Sequence, residues 1–83
     1  MASVEEVRSV VGEVLQIGAR AERLDRDSEL IGSIPEFDSM AVVAVVTALE
    51  ENFDIEVDDD DISAETFETL GTLVDFVNAK VEA

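Results

Sequence analysis

The stretch that decides the fold runs from residue 34 to residue 53 and reads IPEFDSMAVVAVVTALEENF. A loop containing Pro35 ends at the pair Asp38 and Ser39, and both residue types are typical first residues of a helix. Apolar residues then recur at helical spacing, at Val42, Val45, Val46, Leu49 and Phe53. A valine-rich run can also form a buried strand, but the length of this one, its alanines and its acidic end favour a helix to about residue 52.

Two further long segments have the pattern of amphipathic helices. Ser3 and Glu6 form a capping box before a helix that we predict over about 4–17, with Gly18 as its stop. Thr69 is the predicted cap of a last helix over about 70–81. A short third helix is expected to begin among residues 59–61 or at Ser63, because negative charges are favourable at a helix N-terminus.

The sequence therefore predicts an all-α fold, a four-helix bundle with a long loop between helices 1 and 2 and a short third helix. We expect residues 1–83 to form a single domain. The loop of about 20 residues over positions 18–38 is unusually long, and its apolar residues indicate that it packs on the helices. The predicted core is Val7, Val10, Val11, Val14, Leu30, Val45, Val46, Leu49, Phe53, Ile62, Phe67, Leu73, Val74 and Val77.

The charge of the chain is strongly negative and unevenly distributed. The net charge is −16, and residues 29–83 hold 15 acids against Lys80 alone, a balance of −14. Such a surface repels nucleic acid and anionic lipid and attracts basic protein surfaces. No apolar run reaches the length of a membrane span and the N-terminus does not resemble a signal peptide, so we expect a cytoplasmic location. We also expect a monomer.

Ser39 is the residue whose role the sequence must explain. For an arbitrary Asp-Ser pair, helix capping alone is the common role. The alternative is that Ser39 carries a phosphodiester, which the free N–H groups and partial positive charge of a helix N-terminus would favour. A hydrolytic nucleophile is improbable, because the chain has no histidine to activate the serine and no cysteine either.

The arrangement resembles the acyl carrier protein family over about residues 3–80. The tripeptide Asp38-Ser39-Met40 is similar to the family's Asp-Ser-Leu attachment motif. The segments 48–53 (ALEENF) and 55–57 (IEV) are similar to the end of the family's second helix and the turn after it. The segment 66–77 (TFETLGTLVDFV) is similar to the connection between its third and fourth helices.

This resemblance implies a function and a covalent cofactor. A phosphopantetheinyl transferase, using magnesium and coenzyme A, would attach 4′-phosphopantetheine to Ser39, and Asp38 would help to hold the magnesium. The chain itself would not be an enzyme. It would carry acyl groups as thioesters, present them to an acyl ligase or acyltransferase with a basic or partly apolar docking surface, and be able to shelter the acyl chain among its helices. A peptidyl or aminoacyl cargo stays open.

The chain departs from the family pattern near the motif. Glu36 stands where the family usually has glycine, and Ala41 and Ala44 stand where carriers of fatty acid synthesis have acids. Glu50 and Glu51 keep the acidic docking pattern. The uncharged face is composed of Met40, Ala41, Val43 and Ala44. It either packs beneath the loop or docks a dedicated partner.

These departures favour a specialised pathway over housekeeping fatty acid synthesis. In detail the chain is most similar to stand-alone carriers that accompany AMP-forming acyl ligases, including those of exosortase systems.

Two other classes of protein remain as alternatives. The first is a calcium-binding module, because Asp54, Glu56, Asp58 and Glu65 fall at EF-hand spacing, but Asp59 stands where the loop requires glycine, so we predict no metal site. The second alternative is an acidic helical adaptor without a prosthetic group. Replacement of Ser39 by alanine should abolish the function of a carrier, whereas it should leave a calcium-binding module or an adaptor nearly unaffected.

Overall fold

The computed structural model of the protein describes residues 3–30 and 37–82. These residues contain three α-helices: α1 (Val4–Leu15), α2 (Ser39–Phe53) and α3 (Leu70–Glu82). Two 3₁₀ helices, Gly18–Arg23 and Asp59–Asp61, lie in the connections. The described part is all-helical apart from a single antiparallel bridge between Glu29 and Thr69, so the predicted all-α class is confirmed.

Each α-helix begins at the predicted cap. At α1, the Ser3 hydroxyl accepts the Glu6 backbone N–H, and the Glu6 carboxylate accepts the Ser3 backbone N–H. These two bonds form the predicted capping box. At α3, the Thr69 hydroxyl accepts the Thr72 N–H at 3.1 Å, and the Thr72 hydroxyl accepts the Thr69 N–H at 3.1 Å. Short-range side-chain bonds of this kind need only the local sequence, which is why they could be predicted.

The predicted end of α1 at Gly18 is wrong. The helix ends at Leu15, and Gln16 takes the left-handed conformation with φ of 55°. The chain then turns into the 3₁₀ helix Gly18–Arg23, where the sequence predicted irregular loop. A Cβ atom added to Gly12 would lie 2.5 Å from the Cβ of Ala21, so the missing side chain at Gly12 lets this 3₁₀ helix pack directly on α1.

The predicted four-helix bundle is not confirmed, because the described residues contain three α-helices, but a short 3₁₀ helix begins at Asp59, where the start of a short third helix was predicted. Asp59–Asp61 make a three-residue 3₁₀ turn. The next residues are held by side chains, since the Ser63 hydroxyl accepts the Thr66 N–H at 3.3 Å and the Thr66 hydroxyl donates to the Asp61 carbonyl at 3.3 Å. Serine and threonine hydroxyls that bind the nearby backbone compete with helical hydrogen bonds, and here they replace them.

The long loop is fastened to the start of α3, as its apolar residues predicted. The Gly71 N–H donates to the Arg26 carbonyl at 2.9 Å, and the Leu70 N–H donates to the Ser28 carbonyl at 2.9 Å. These two donors belong to the first turn of α3, which has no intrahelical partner for them. The predictions that concern Ile34, Pro35 and Glu36 lie outside the described residues.

One hydrophobic core joins the three helices, the first 3₁₀ helix and the connections. Of the predicted core residues, Val14, Phe53 and Ile62 are only partly buried, and the others are buried. The buried residues that we did not predict are Leu15, Ile17, Ala21, Phe37, Ile55 and Leu70. Within the described ranges, no helix combines the length and apolar character that crossing a bilayer requires.

Candidate functional site

Ser39 is the first residue of α2 and is exposed to solvent. The residue before it, Asp38, has extended backbone geometry, and its carboxylate accepts the Ala41 N–H at 2.9 Å. The Val42 N–H donates to the Asp38 carbonyl at 3.0 Å and starts the helical ladder. The cap therefore fixes the backbone on both sides of Ser39 and leaves its hydroxyl at the surface.

The helix end at Ser39 is electrostatically suited to a phosphodiester. Of the first N–H groups of α2, the Ala41 N–H is satisfied by Asp38, while those of Ser39 and Met40 have no intrahelical partner. The first turn contains no acidic side chain. An exposed hydroxyl beside free N–H groups and the positive end of the helix dipole fits a covalently attached phosphate group.

The uncharged face predicted on α2 divides into two parts. Met40 is 80% exposed and Val43 is 62% exposed, and Ala44 is exposed beside them. Ala41 is partly buried and packs against the core. Ala41 thus packs inward, while Met40, Val43 and Ala44 form an exposed group that we call the α2 apolar face, and docking through this face stays a prediction.

The two glutamates at the end of α2 are in different situations. Glu51 is exposed. Glu50 is half-buried, and its carboxylate accepts the Val57 N–H at 3.0 Å. Glu50 therefore holds the acidic connection, residues 54–62 (DIEVDDDDI), against α2, a role that its sequence position did not indicate. Glu51 is the more exposed of the two predicted docking acids.

The acidic connection is tied to α3 by an ion pair. The Lys80 ammonium group lies 2.6 Å from the Asp61 carboxylate and 5.9 Å from the centre of the Phe76 ring. The hydrogen bond from Lys80, then that from the Asp58 N–H, holds the pKa of the Asp61 carboxyl below its usual value. The same bond to Asp61 raises the pKa of Lys80.

The residues considered as an EF-hand do not come together as ligands. In residues 3–30 and 37–82, no three acidic, histidine or cysteine side chains are grouped so that they could hold a metal ion. Asp54 instead ends α2 in the left-handed conformation, with φ of 53°. The arrangement thus does not favour the calcium-binding alternative.

One residue of the site was missing from the predicted core and site residues. Phe37 precedes the Asp38 cap and is only 5% exposed, although the three residues after it are exposed. Its ring packs on Phe67, with the ring centres 5.8 Å apart. A large apolar residue directly before the cap was a signal for this inward contact, but its partner lies thirty residues away.

Comparisons with known proteins agree on one family. A family model described as a phosphopantetheine attachment site matches residues 5–77. An acyl carrier protein of Sulfurovum sp. (strain NBC37-1) is 38% identical over 77 residues, which are 93% of this chain and 96% of that protein. The solution NMR structure of a holo acyl carrier protein from Nitrosomonas europaea is 57% identical, with a TM-score of 0.92 and full coverage of both chains.

Proposed function

Because the chain belongs to the acyl carrier protein family, whose cofactor is covalent 4′-phosphopantetheine, we propose that Ser39 is the residue to which the cofactor is attached. The observation that carries this proposal is the exposed Ser39 hydroxyl at the first position of α2, directly after the Asp38 cap. A transferase can reach such a hydroxyl without unfolding the chain. The free N–H groups of the first turn favour the negative charge of the phosphodiester.

The attached group supplies a terminal thiol, on which an acyl group is held as a thioester. The chain's own residues bind and orient. Asp38 holds the first turn of α2 in place through the Ala41 N–H. We propose that its second carboxylate oxygen contributes to magnesium binding in the transferase complex. No residue near Ser39 is a general base of the usual kind, since the chain contains no histidine, and catalysis belongs to the partner enzymes.

The α2 apolar face is the surface that we propose for docking of the loading enzyme. Met40 and Val43 lie one and four residues after Ser39 and are exposed, so an enzyme that binds the arm at its base also covers them. The rest of this half of the chain is acidic, with a balance of −14 over residues 29–83. The complementary partner surface is therefore an apolar patch bordered by basic groups, and Glu51 is an exposed acid on the same helix as the apolar face.

The partner that fits these features best is an AMP-forming acyl ligase of a specialised pathway. The exposed face contains no acid before Glu50, whereas carriers of fatty acid synthesis resemble one another in having acids soon after the serine. A dedicated ligase can recognise an uncharged face by apolar burial. An acidic adaptor without a cofactor is the weaker alternative, because nothing in it requires an exposed serine at this helix end.

Intact-protein mass spectrometry tests the attachment site. The wild type, Ser39→Ala and the matched control Ser9→Ala, which removes another exposed serine hydroxyl, are incubated with coenzyme A, magnesium and a broad-specificity phosphopantetheinyl transferase. We expect the mass of one phosphopantetheine to be added to the wild type and to Ser9→Ala, and nothing to be added to Ser39→Ala. Modification of Ser39→Ala, or none of the wild type while a control carrier is modified, would overturn the proposal.

Steady-state kinetics of the loading enzyme test the docking face. Val43→Glu places a charge in the α2 apolar face, and Val81→Glu places the same charge at an exposed valine of α3. We expect Val43→Glu to raise KM for the carrier and to leave kcat nearly unchanged, with Val81→Glu equal to wild type. Equal effects of both changes would refute docking through α2.

A further inference from the structure

Lys80 is the only lysine in the sequence, and its ammonium group lies between two partners that favour its charged form. The nitrogen is 2.6 Å from the Asp61 carboxylate and 5.9 Å from the centre of the Phe76 ring, over its face. A carboxylate and an aromatic face both attract a cation. The Lys80 side chain is nevertheless 26% exposed, so small molecules in solution can reach the amine.

Asp61 is held in position by its own backbone neighbours. The Asp61 N–H donates to the Asp58 carbonyl at 2.9 Å, and the Asp58 N–H donates to the Asp61 carboxylate at 3.1 Å. The Thr66 hydroxyl donates to the Asp61 carbonyl at 3.3 Å. The carboxylate is therefore a fixed acceptor, and the long side chain of Lys80 extends to meet it.

A carrier of acyl groups is surrounded by thioesters, and thioesters acylate amines. The lone pair of a neutral amine attacks the carbonyl carbon, a C–N bond forms, the C–S bond breaks, and the sulfur leaves as a thiol with the proton from nitrogen. A protonated amine has no lone pair for this attack. Because the hydrogen bond to Asp61 raises the pKa of Lys80, it lowers the fraction of this amine that can react.

We propose that Lys80 is a site of acylation by thioesters and that Asp61 restrains the reaction by holding the ammonium group. The donor is a thioester, either on the arm of the same chain or on another molecule. Amide formation removes the charge of Lys80, so the tie between the acidic connection and α3 is lost. Only the use of the chain's own thioester rests on the proposed attachment at Ser39, and the site itself does not.

The first experiment uses an external donor and full-length chains without the cofactor. Wild type, Asp61→Asn, Asp60→Asn and Lys80→Arg are incubated with octanoyl-pantetheine, an uncharged thioester. Asp61→Asn removes the charge but keeps an oxygen for the Asp58 N–H. Asp60→Asn is the matched control, because it makes the same change at an exposed position of the same 3₁₀ helix. Hydroxylamine then removes esters, intact mass measures the remaining amide, and fragmentation locates it.

We expect an octanoyl amide at Lys80 that forms about two- to fivefold faster in Asp61→Asn than in wild type, which is the effect of losing an exposed ion pair. Asp60→Asn should react at the wild-type rate, and Lys80→Arg should have no amide at this position. Salt at about 1 M screens the pair and should bring the wild type close to Asp61→Asn.

Two results would overturn the proposal: no amide at Lys80 in any protein, or equal rates at this residue in wild type and Asp61→Asn. Circular dichroism checks that the variants keep their helices. If Asp61→Asn does not, the wild type decides by its salt dependence, because a rate at Lys80 that salt leaves unchanged excludes restraint by the ion pair.

The second experiment identifies the donor. The wild type is loaded with octanoyl-phosphopantetheine by a phosphopantetheinyl transferase and is then diluted tenfold. A rate constant for amide formation at Lys80 that dilution leaves unchanged indicates transfer from the same chain, and one that falls in proportion indicates transfer from a second molecule. Failure of attachment at Ser39 is seen separately, as no gain of mass on loading, while the first experiment still tests Lys80.

Discussion

Asp38 has two proposed roles, which two substitutions can separate. Its carboxylate accepts the Ala41 N–H at 2.9 Å, which caps α2, and its charge is proposed to support magnesium in the transferase complex. Asp38→Asn keeps an oxygen acceptor and removes the charge. Asp38→Ala removes both. The transferase should therefore modify both variants more slowly than the wild type, whereas the stabilities of the two variants should differ.

The size of each stability effect follows from the contacts of Asp38. Loss of an N-cap bond costs about 1 kcal/mol. Loss of a negative charge at a helix N-terminus costs about 0.3–1 kcal/mol, and here we expect the lower end, because removal of one charge relieves repulsion in a chain of net charge −16. In a domain of this size each kcal/mol shifts Tm by about 4–8 °C. Asp38→Asn should thus lose about 2 °C and Asp38→Ala about 5–10 °C.

Thermal unfolding followed by circular dichroism, and the rate of phosphopantetheine attachment followed by intact mass, measure the two roles separately. Ser39→Ala, which lacks the hydroxyl, is the negative control of the attachment assay. Equal Tm values for Asp38→Asn and Asp38→Ala would show that the bond to Ala41 does not stabilise α2. Attachment to Asp38→Asn at the wild-type rate would refute a role for the charge.

Three further predictions concern the contacts that hold the connections in place. Gly12→Ala should lower the free energy of unfolding by about 1–2 kcal/mol, because the new methyl group would lie 2.5 Å from the Cβ of Ala21, which outweighs the better helix propensity of alanine. In urea unfolding, the double variant Gly12→Ala with Ala21→Gly should recover most of this loss. Gly71→Ala should cost about 1–3 kcal/mol in the same assay, because its Cβ would lie 2.8 Å from a loop carbonyl oxygen. The lowered pKa of Asp61 and the raised pKa of Lys80 mean that their ion pair stabilises fully between about pH 4 and pH 10, so Lys80→Met should reduce Tm at pH 7 but not below the folded-state pKa of the carboxyl.

Specific results would contradict these predictions. A stable Gly12→Ala variant, or a double variant in which the two losses simply add, would mean that the first 3₁₀ helix does not pack on α1 as described. A Gly71→Ala variant as stable as wild type would mean that the loop around Arg26 can shift without lowering the free energy of unfolding. An equal Tm difference between wild type and Lys80→Met at pH 7 and in strong acid would exclude the ion pair as its cause.

Residues close in the chain account for most of what could be predicted. Helical spacing of valine and leucine, and cap residues three positions from their partners, located α1, α2 and α3 to within about two residues. The Asp38 cap and the exposed Ser39 belong to the same class, since the geometry of a helix start depends on only a few neighbouring residues.

The predictions that failed depended on competition between local and distant bonds. The expected third helix is limited to the 3₁₀ residues Asp59–Asp61, because hydroxyl groups bind the backbone of the residues that follow, and the Thr72 hydroxyl also donates to the Thr66 carbonyl at 3.0 Å. The first 3₁₀ helix depends on Gly12, nine residues before Ala21, because only a residue without a side chain leaves room for it. Neither event leaves a periodic pattern in the segment concerned.

The sequence by itself determined the helices, their caps, the acidic surface and the serine at the start of α2, because each depends on residue type and short spacing. Only the tertiary structure decided that Phe37 turns inward onto Phe67, that Glu50 holds the acidic connection, and that the long loop is fastened to the start of α3. The contacts of Phe37 and of the loop join residues thirty or more positions apart, and that of Glu50 crosses the turn after α2, so their free energy exists only after the helices have packed. The physical reason is that local bonds form within one turn, whereas distant contacts must first overcome the entropy of closing the loops between them.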